Sequence, residues 1–273
     1  MLPIVKIGNT EISRLIVGGN PISGNSHVNG KLDNEMIDYY TTGNILRLFR
    51  RCEECGIKTM QLRGDKHISR ILREYWLNGG TMNWIAQTAS ELTYEGNVRQ
   101  IAAAGAAAIY LHGTKFDEHF KKGEYDEIKR KIGLIRETGL PVGIATHMPH
   151  ALEYAEEHNW DVDFYMTCVY NISRIDRVSS AITGIPNSDE PFFDEDIPVM
   201  YKTIRQVSKP CLAFKILGAT RRCATQETVQ AAFNEAYASI KPSDAVIVGM
   251  YPKILDEAKL NSEYAAKALG QVK

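Results

Sequence analysis

The chain has no apolar run long enough to cross a bilayer, no surplus of either charge and no regular set of cysteines. Its longest apolar stretch, Ile101 to Leu111, is short and rich in alanine, whereas a membrane helix needs roughly 20 apolar residues. Met1-Leu2-Pro3-Ile4-Val5-Lys6 carries neither a basic segment nor a long apolar one, so no secretory signal is expected. Lys and Arg number 32 against 33 Asp and Glu, a formal net charge of -1. Charges so balanced and interspersed set up no field that would draw the chain to nucleic acid or to an acidic membrane, and neither partner is expected. Cys52, Cys55, Cys168, Cys211 and Cys223 are odd in number and scattered. That pattern argues against a disulfide framework and for a reducing, cytoplasmic setting. Cys52 and Cys55 form a C-x-x-C pair, but inside the charged helical stretch Arg50-Arg51-Cys52-Glu53-Glu54-Cys55-Gly56. No strand precedes it and no second pair completes a zinc site, so two ordinary helix thiols are expected.

What is present is a regular alternation. Short β-rich runs at Arg14–Val17, Thr59–Leu62, Met82–Gln87, Ala107–Leu111, Val142–Thr146, Phe164–Val169, Cys211–Ile216 and Ala245–Val248 are separated by amphipathic helical stretches. Most follow a turn signal such as Asn78-Gly79-Gly80, Lys209-Pro210 or Lys241-Pro242-Ser243-Asp244. Apolar spacing of three and four marks the helices, as in Tyr125, Ile128, Ile132 and Ile135, or Val229, Ala232, Phe233 and Ala236. Eight such units in 273 residues predict one α/β domain over 1–273, a (β/α)8 TIM barrel, whose usual length is about 250 residues. Ahead of the first strand, Val5 to Ile12 alternates around Gly8-Asn9, a β-hairpin signal. Asn171 to Pro198, with Pro186-Asn187-Ser188-Asp189-Glu190-Pro191, is the longest connection. After the sixth strand it would cover the catalytic face, either as a lid or as a loose linker.

Several segments match one family in order. Ile7-Gly8-Asn9-Thr10-Glu11-Ile12-Ser13-Arg14-Leu15-Ile16-Val17-Gly18-Gly19 resembles the N-terminal hairpin and first strand of the aldo-keto reductases. Cys55-Gly56-Ile57-Lys58-Thr59-Met60-Gln61, Ile109-Tyr110-Leu111-His112 and Val142-Gly143-Ile144-Ala145-Thr146-His147 are similar to its second, fourth and fifth strands. Val169-Tyr170-Asn171 and Val246-Ile247-Val248-Gly249 are similar to the ends of the sixth and last. The resemblance implies the family's barrel. It also implies an Asp, Tyr, Lys and His at the mouth, with the Tyr protonating the reduced carbonyl. Carried over position by position, the Asp falls on Gln61, the Tyr on about Lys66 and the Lys on about Thr88, while His112 is kept. Thr146-His147 stands where the family has Ser-Asn against the nicotinamide, and Met166 or Thr167 where it has Gln. A degenerate tetrad, and no conventional carbonyl reduction, are therefore expected.

In a barrel of this class the active site lies at the C-terminal strand ends. Those positions hold Asn20, Gln61, Arg63, Asp65, Gln87, Glu91, His112, His147, Cys168, Asn171 and Lys215, a polar ring that packing would not demand. His112 and His147 would act as acid and base. Alternatively they would hold a divalent metal with Asp65 or Glu91 completing the set, or simply close strand-end hydrogen bonds. Lys215, in an apolar strand, would be a Schiff-base nucleophile, an anion clamp with Arg63, or half of an ion pair with Asp65. Asn20, Gln61, Gln87 and Asn171 would bind substrate. Gly218, Arg221 and Arg222, with Gly249 and Lys253, lie where such barrels hold a phosphate, so a phosphorylated substrate or the pyrophosphate of NADP would sit there.

The expected function is proton transfer of lyase, isomerase or hydrolase type on a small sugar-like or keto compound. Two other readings stay open: an NADP-dependent reductase with a relocated acid such as His112, and a barrel that binds a ligand without turning it over.

Overall fold

A computed structural model of the chain describes residues 2–176, 178, 180–185 and 190–271. Eight parallel strands close a barrel in sequence order: β3 (Leu15–Gly18), β4 (Thr59–Arg63), β5 (Asn83–Gln87), β6 (Ala108–Leu111), β7 (Val142–Thr146), β8 (Phe164–Cys168), β9 (Cys211–Phe214) and β10 (Ala245–Gly249), which pairs back onto β3. Closure leaves no free edge, and the apolar strands are covered on both sides, inward by side chains and outward by helices.

The predicted hairpin is present as β1 (Ile4–Ile7) and β2 (Thr10–Ser13), paired antiparallel. Its Ile7 and Ile12 are fully buried among Ile16, Ala108, Phe164, Leu212 and Ala245, so the hairpin plugs the N-terminal end of the cylinder. Phe164 needs space there. A Cβ at Gly143, on the adjacent strand, would come within 2.4 Å of the Phe164 ring, which explains a glycine inside β7.

Around the barrel lie α1 (Gly30–Tyr39), α2 (Thr42–Glu54), α3 (Lys66–Leu77), α4 (Tyr94–Ala103), α5 (Gly113–Lys121), α6 (Tyr125–Arg136), α7 (Pro149–Glu157), α8 (Ser180–Thr183), α9 (Asp196–Gln206), α10 (Gln226–Ser239) and α11 (Glu257–Ala268), of which α2, α3, α5, α9, α10 and α11 position the site. Each of these six begins near the C-terminal barrel end or packs against a helix that does. Asp65 caps α3, accepting from the Ile68 N–H at 2.9 Å, and Thr225 caps α10 in a reciprocal box with Thr228. All five cysteines are free thiols, and burial raises the Cys52 thiol well above its usual range.

Two expectations change. The seventh barrel strand stops at Phe214 rather than running to Ile216, because Lys215 turns to a left-handed backbone with φ 65°. Gly218, Ala219 and Thr220 follow at φ 59°, 49° and 76°, so the chain coils over the barrel mouth instead of extending. In the long connection, α9 already begins at Asp196, so Pro198 is helical. Its Ser180 hydroxyl donates to Asn25 Oδ1 at 3.1 Å, and Glu190 lies 2.5 Å from His27 Nδ1. The connection is thus tied to the loop after β3. Pro186 to Asp189 lie outside the described residues. No described helix is long and apolar enough to cross a membrane.

Candidate active site

The C-terminal end of the barrel opens into a cavity of about 480 Å³. Its floor is a layer of inward-facing side chains: Gln61, Tyr110, Ala145, Met166, Phe214 and Ile247. Arg63, Gln87, His112, His147 and Lys215 stand around it, with Asn20 and Gly249 at the rim. The four side chains expected to share one hollow, Arg63, His112, His147 and Lys215, therefore do so.

His147 is the most constrained of them. It is 5% exposed, and its Nδ1 lies 2.6 Å from Oδ2 of Asp117, itself buried on α5. Asp117 is saturated: Oδ2 also accepts from the Ser173 hydroxyl and weakly from the His147 N–H at 3.3 Å, and Oδ1 accepts from the Thr146 hydroxyl. Burial works against the Asp117 charge, but the neighbouring imidazole and these hydrogen bonds outweigh it and hold the carboxyl below the usual aspartate range. An ionised carboxylate only accepts, so Nδ1 carries the proton and Nε2, across the ring, is the nitrogen that exchanges one. A Cβ at Gly113 would sit 3.1 Å from His147 Cε1, so the glycine opening α5 lets the imidazole lie against the helix terminus.

Asp117, His147 and Ser173 are the residue types of a hydrolytic triad in a different order. Ser173 Oγ bonds the carboxylate and lies 3.4 Å from Nδ1. A nucleophilic serine needs the opposite nitrogen, so Ser173 positions Asp117 and is not a nucleophile.

Tyr110 adds a second polar device. Gln61 Nε2 donates to its hydroxyl at 2.7 Å, which leaves the phenolic proton for another acceptor, and burial raises the phenol so that it keeps that proton. Arg63 is held between Asp65, at 3.0 Å, and Glu91. Its charge is thereby matched, and burial lowers its guanidinium pKa from the ordinary value. Lys215 lines the cavity with its ammonium 5.4 Å from the Phe192 ring centroid. The expected Lys215–Asp65 pair is replaced by Arg63–Asp65, because the early end of β9 sends Lys215 into the turn.

Several expected residues lie elsewhere. Asp65 caps α3 and does not line the cavity; nor does Asn171, which borders a smaller cavity of about 280 Å³ with His150, Arg174, Asp196 and the far side of His147. No group of three His, Cys, Asp or Glu side chains suited to a metal occurs among the described residues; Asp65 and Glu91, expected to join His112 and His147, pair with Arg63.

The phosphate corner is not built either. Arg221 stacks on Phe192, 3.9 Å from its centroid, and donates to the carbonyls of His27, Gly218 and Ala219. Arg222 pairs with Glu235 at 2.6 Å and Lys253 with Glu35 at 3.9 Å. None of the three lines the cavity, nor does Gly218. The acidic Glu257 lines it instead, its carboxyl raised by burial. A diphosphate there would meet the Glu257 carboxyl, while the three cations expected to receive it, Arg221, Arg222 and Lys253, are engaged elsewhere, so these residues do not fit NADP.

Asp117, Ser173, Tyr110 and Glu257 are site residues that sequence reasoning does not single out. One signal was available for Asp117: it shares a helix face with Phe116 and Phe120, the buried face of α5.

No family model matches the chain, and no curated protein matches it in sequence. Solved structures do resemble it in fold. An aldo-keto reductase from Bacillus halodurans, in its holo form, aligns with 10% identity and TM-score 0.58 over 100% of this chain and 97% of its own. A truncated 3-deoxy-D-arabino-heptulosonate 7-phosphate synthase from Thermotoga maritima gives 15% identity and TM-score 0.56 over 98% and 93%. An N-acetylneuraminic acid synthetase from Leptospira borgpetersenii, in complex with citrate, gives 10% and 0.54 over 100% and 92%. At such identities the likeness is one of fold: this chain is a (β/α)8 barrel with an N-terminal hairpin.

Proposed function

We propose that this barrel is an enzyme of proton transfer, of lyase or isomerase type, acting beside the carbonyl of a small polar, sugar-like or keto substrate. One observation carries the reading: the buried Asp117–His147 pair, 2.6 Å apart, with the imidazole on the cavity wall. A carboxylate so saturated fixes the tautomer and stabilises the imidazolium once Nε2 has taken a proton. Negative charge then gathers on the substrate oxygen. Lys215 supplies a cation for it and Tyr110 a hydroxyl proton, both already in place. His112, on the neighbouring strand end, returns the proton as the acid. Its backbone N–H is bound by Thr88 Oγ1 at 3.0 Å, which fixes where the ring starts.

Conventional carbonyl reduction is not proposed. Lys66, where the family's Tyr would stand, is the exposed first residue of α3, and Thr88 is a small buried hydroxyl. Neither offers a phenol or its cationic partner.

The test is hydrogen exchange in deuterated water. A panel of hydroxy-ketones and keto acids is incubated with the protein, and deuterium entering the carbon beside the carbonyl is followed by NMR. Exchange with at least one member, reduced about 10²- to 10⁴-fold in His147→Gln, is expected. Undiminished exchange in that variant would end the assignment.

A further inference from the structure

The cavity does not stop at the barrel mouth. It runs outward between the first turns of α10 and α11, where Gln226, Tyr251, Glu257, Leu260 and Asn261 line it. Two features of this arm are out of keeping with a finished protein interior. Glu257 is partly buried and accepts the Tyr251 N–H at 2.6 Å, yet no cation pairs with it among the described residues, where Lys253 and Lys259 are taken up by Glu35 and Glu263. Asn261 is 4% exposed, and its side-chain amide forms no hydrogen bond among the described residues. The two stand at i and i+4 on α11, which puts them on one helix face.

Among the described residues the carboxyl has no counter-ion and the amide no hydrogen bond, and their polar atoms open onto the cavity, where solvent or a ligand must satisfy them. Both face the same space, which is continuous with the His147 wall. The group that satisfies both carries a positive charge and several donors. A phosphate has the wrong sign, and a hydroxyl leaves the carboxylate unmatched. We infer that this arm receives the ammonium group of an amine-bearing substrate, with Glu257 as its counter-ion and Asn261 as its hydrogen-bond partner. The inference rests on the cavity being the active site. It gives the substrate two poles, an amine in the arm and a carbonyl at the Lys215 and Tyr110 end.

Paired probes test it: glucosamine against glucose, and ethanolamine against ethylene glycol, by calorimetry on the whole protein. Each amine is expected to bind roughly tenfold or more tightly than its hydroxyl partner, as a charge-assisted bond requires. Glu257→Gln should erase that preference, Asn261→Leu should weaken amine binding several-fold, and adding amine should move the Glu257 carboxyl titration, followed by 13C NMR, to lower pH. Equal binding within each pair, no binding by either amine, or a preference that survives Glu257→Gln would overturn the inference. His147→Gln separates the two readings. It should cut deuterium exchange and keep the amine preference: exchange that stays undiminished sinks the proton-transfer reading alone, and an amine preference that is absent while exchange behaves as expected sinks this inference alone.

Discussion

The two sides of the cavity are finished to different degrees. On the β7 side both Asp117 carboxylate oxygens are bound, and the imidazole they hold is packed against Gly113 and Phe214. On the α11 side the Glu257 carboxyl has the Tyr251 N–H and no cation, and the Asn261 amide has no hydrogen bond, among the described residues; both open onto the cavity. A network closed before any ligand arrives suits chemistry, because no reorganisation is left for the moment of reaction. Open valences suit recognition, because the ligand completes them.

The largest effect should come from opening the closed side. Asp117→Ala strands a buried imidazole and should cost about 3–5 kcal/mol, measured by chemical denaturation, with exchange activity lost as well. An Asp117 variant of unchanged stability would erase the contrast between the sides.

Acid should probe the same pair without mutation. The folded Asp117 carboxyl lies below its unfolded value. Its stabilising contribution is complete above the ordinary aspartate range, about pH 4, and is lost as pH falls through the lower folded value. Acid unfolding should therefore shift in Asp117→Asn, whose midpoint loses that part of its pH dependence.

Gly113→Ala should sharpen the comparison by leaving the fold intact. The added methyl meets His147 Cε1 at 3.1 Å, so exchange should fall about tenfold while stability changes by less than about 1 kcal/mol. NADPH should give no fluorescence change at millimolar concentration, since the guanidinium groups expected to meet it are engaged elsewhere. The smallest effect belongs to the loop between the sides. Thr220 is β-branched and left-handed at φ 76°, so Thr220→Gly should raise stability by up to about 1 kcal/mol in thermal melts.

Much of the fold was legible because alternation of short β-rich and amphipathic segments is a property of the chain itself. All eight barrel strands fall where that alternation puts them. The error at Lys215 is instructive: Ala213-Phe214-Lys215-Ile216-Leu217 keeps strand-like composition, and the left-handed turn that ends it is a tertiary outcome. The site was legible in part. Residues at strand ends could be placed, so His112, His147, Arg63 and Lys215 were found together. Partners could not. Nothing in Arg221-Arg222 foretells that one guanidinium stacks on Phe192 and the other reaches Glu235. Tyr110, between Ile109 and Leu111, carries no signal of a role in sequence, and the alternation that turns it inward acquires meaning only when Gln61 stands opposite.

The hairpin of Ile7 and Ile12 has a consequence for traffic. By stoppering one end of the cylinder it makes the molecule a cup, not a tube. Whatever enters must leave past the same lip, so product and incoming substrate take turns at a single doorway. Ser180 and Glu190, each bonded to the loop that bears Asn25 and His27, stand beside that doorway on both journeys.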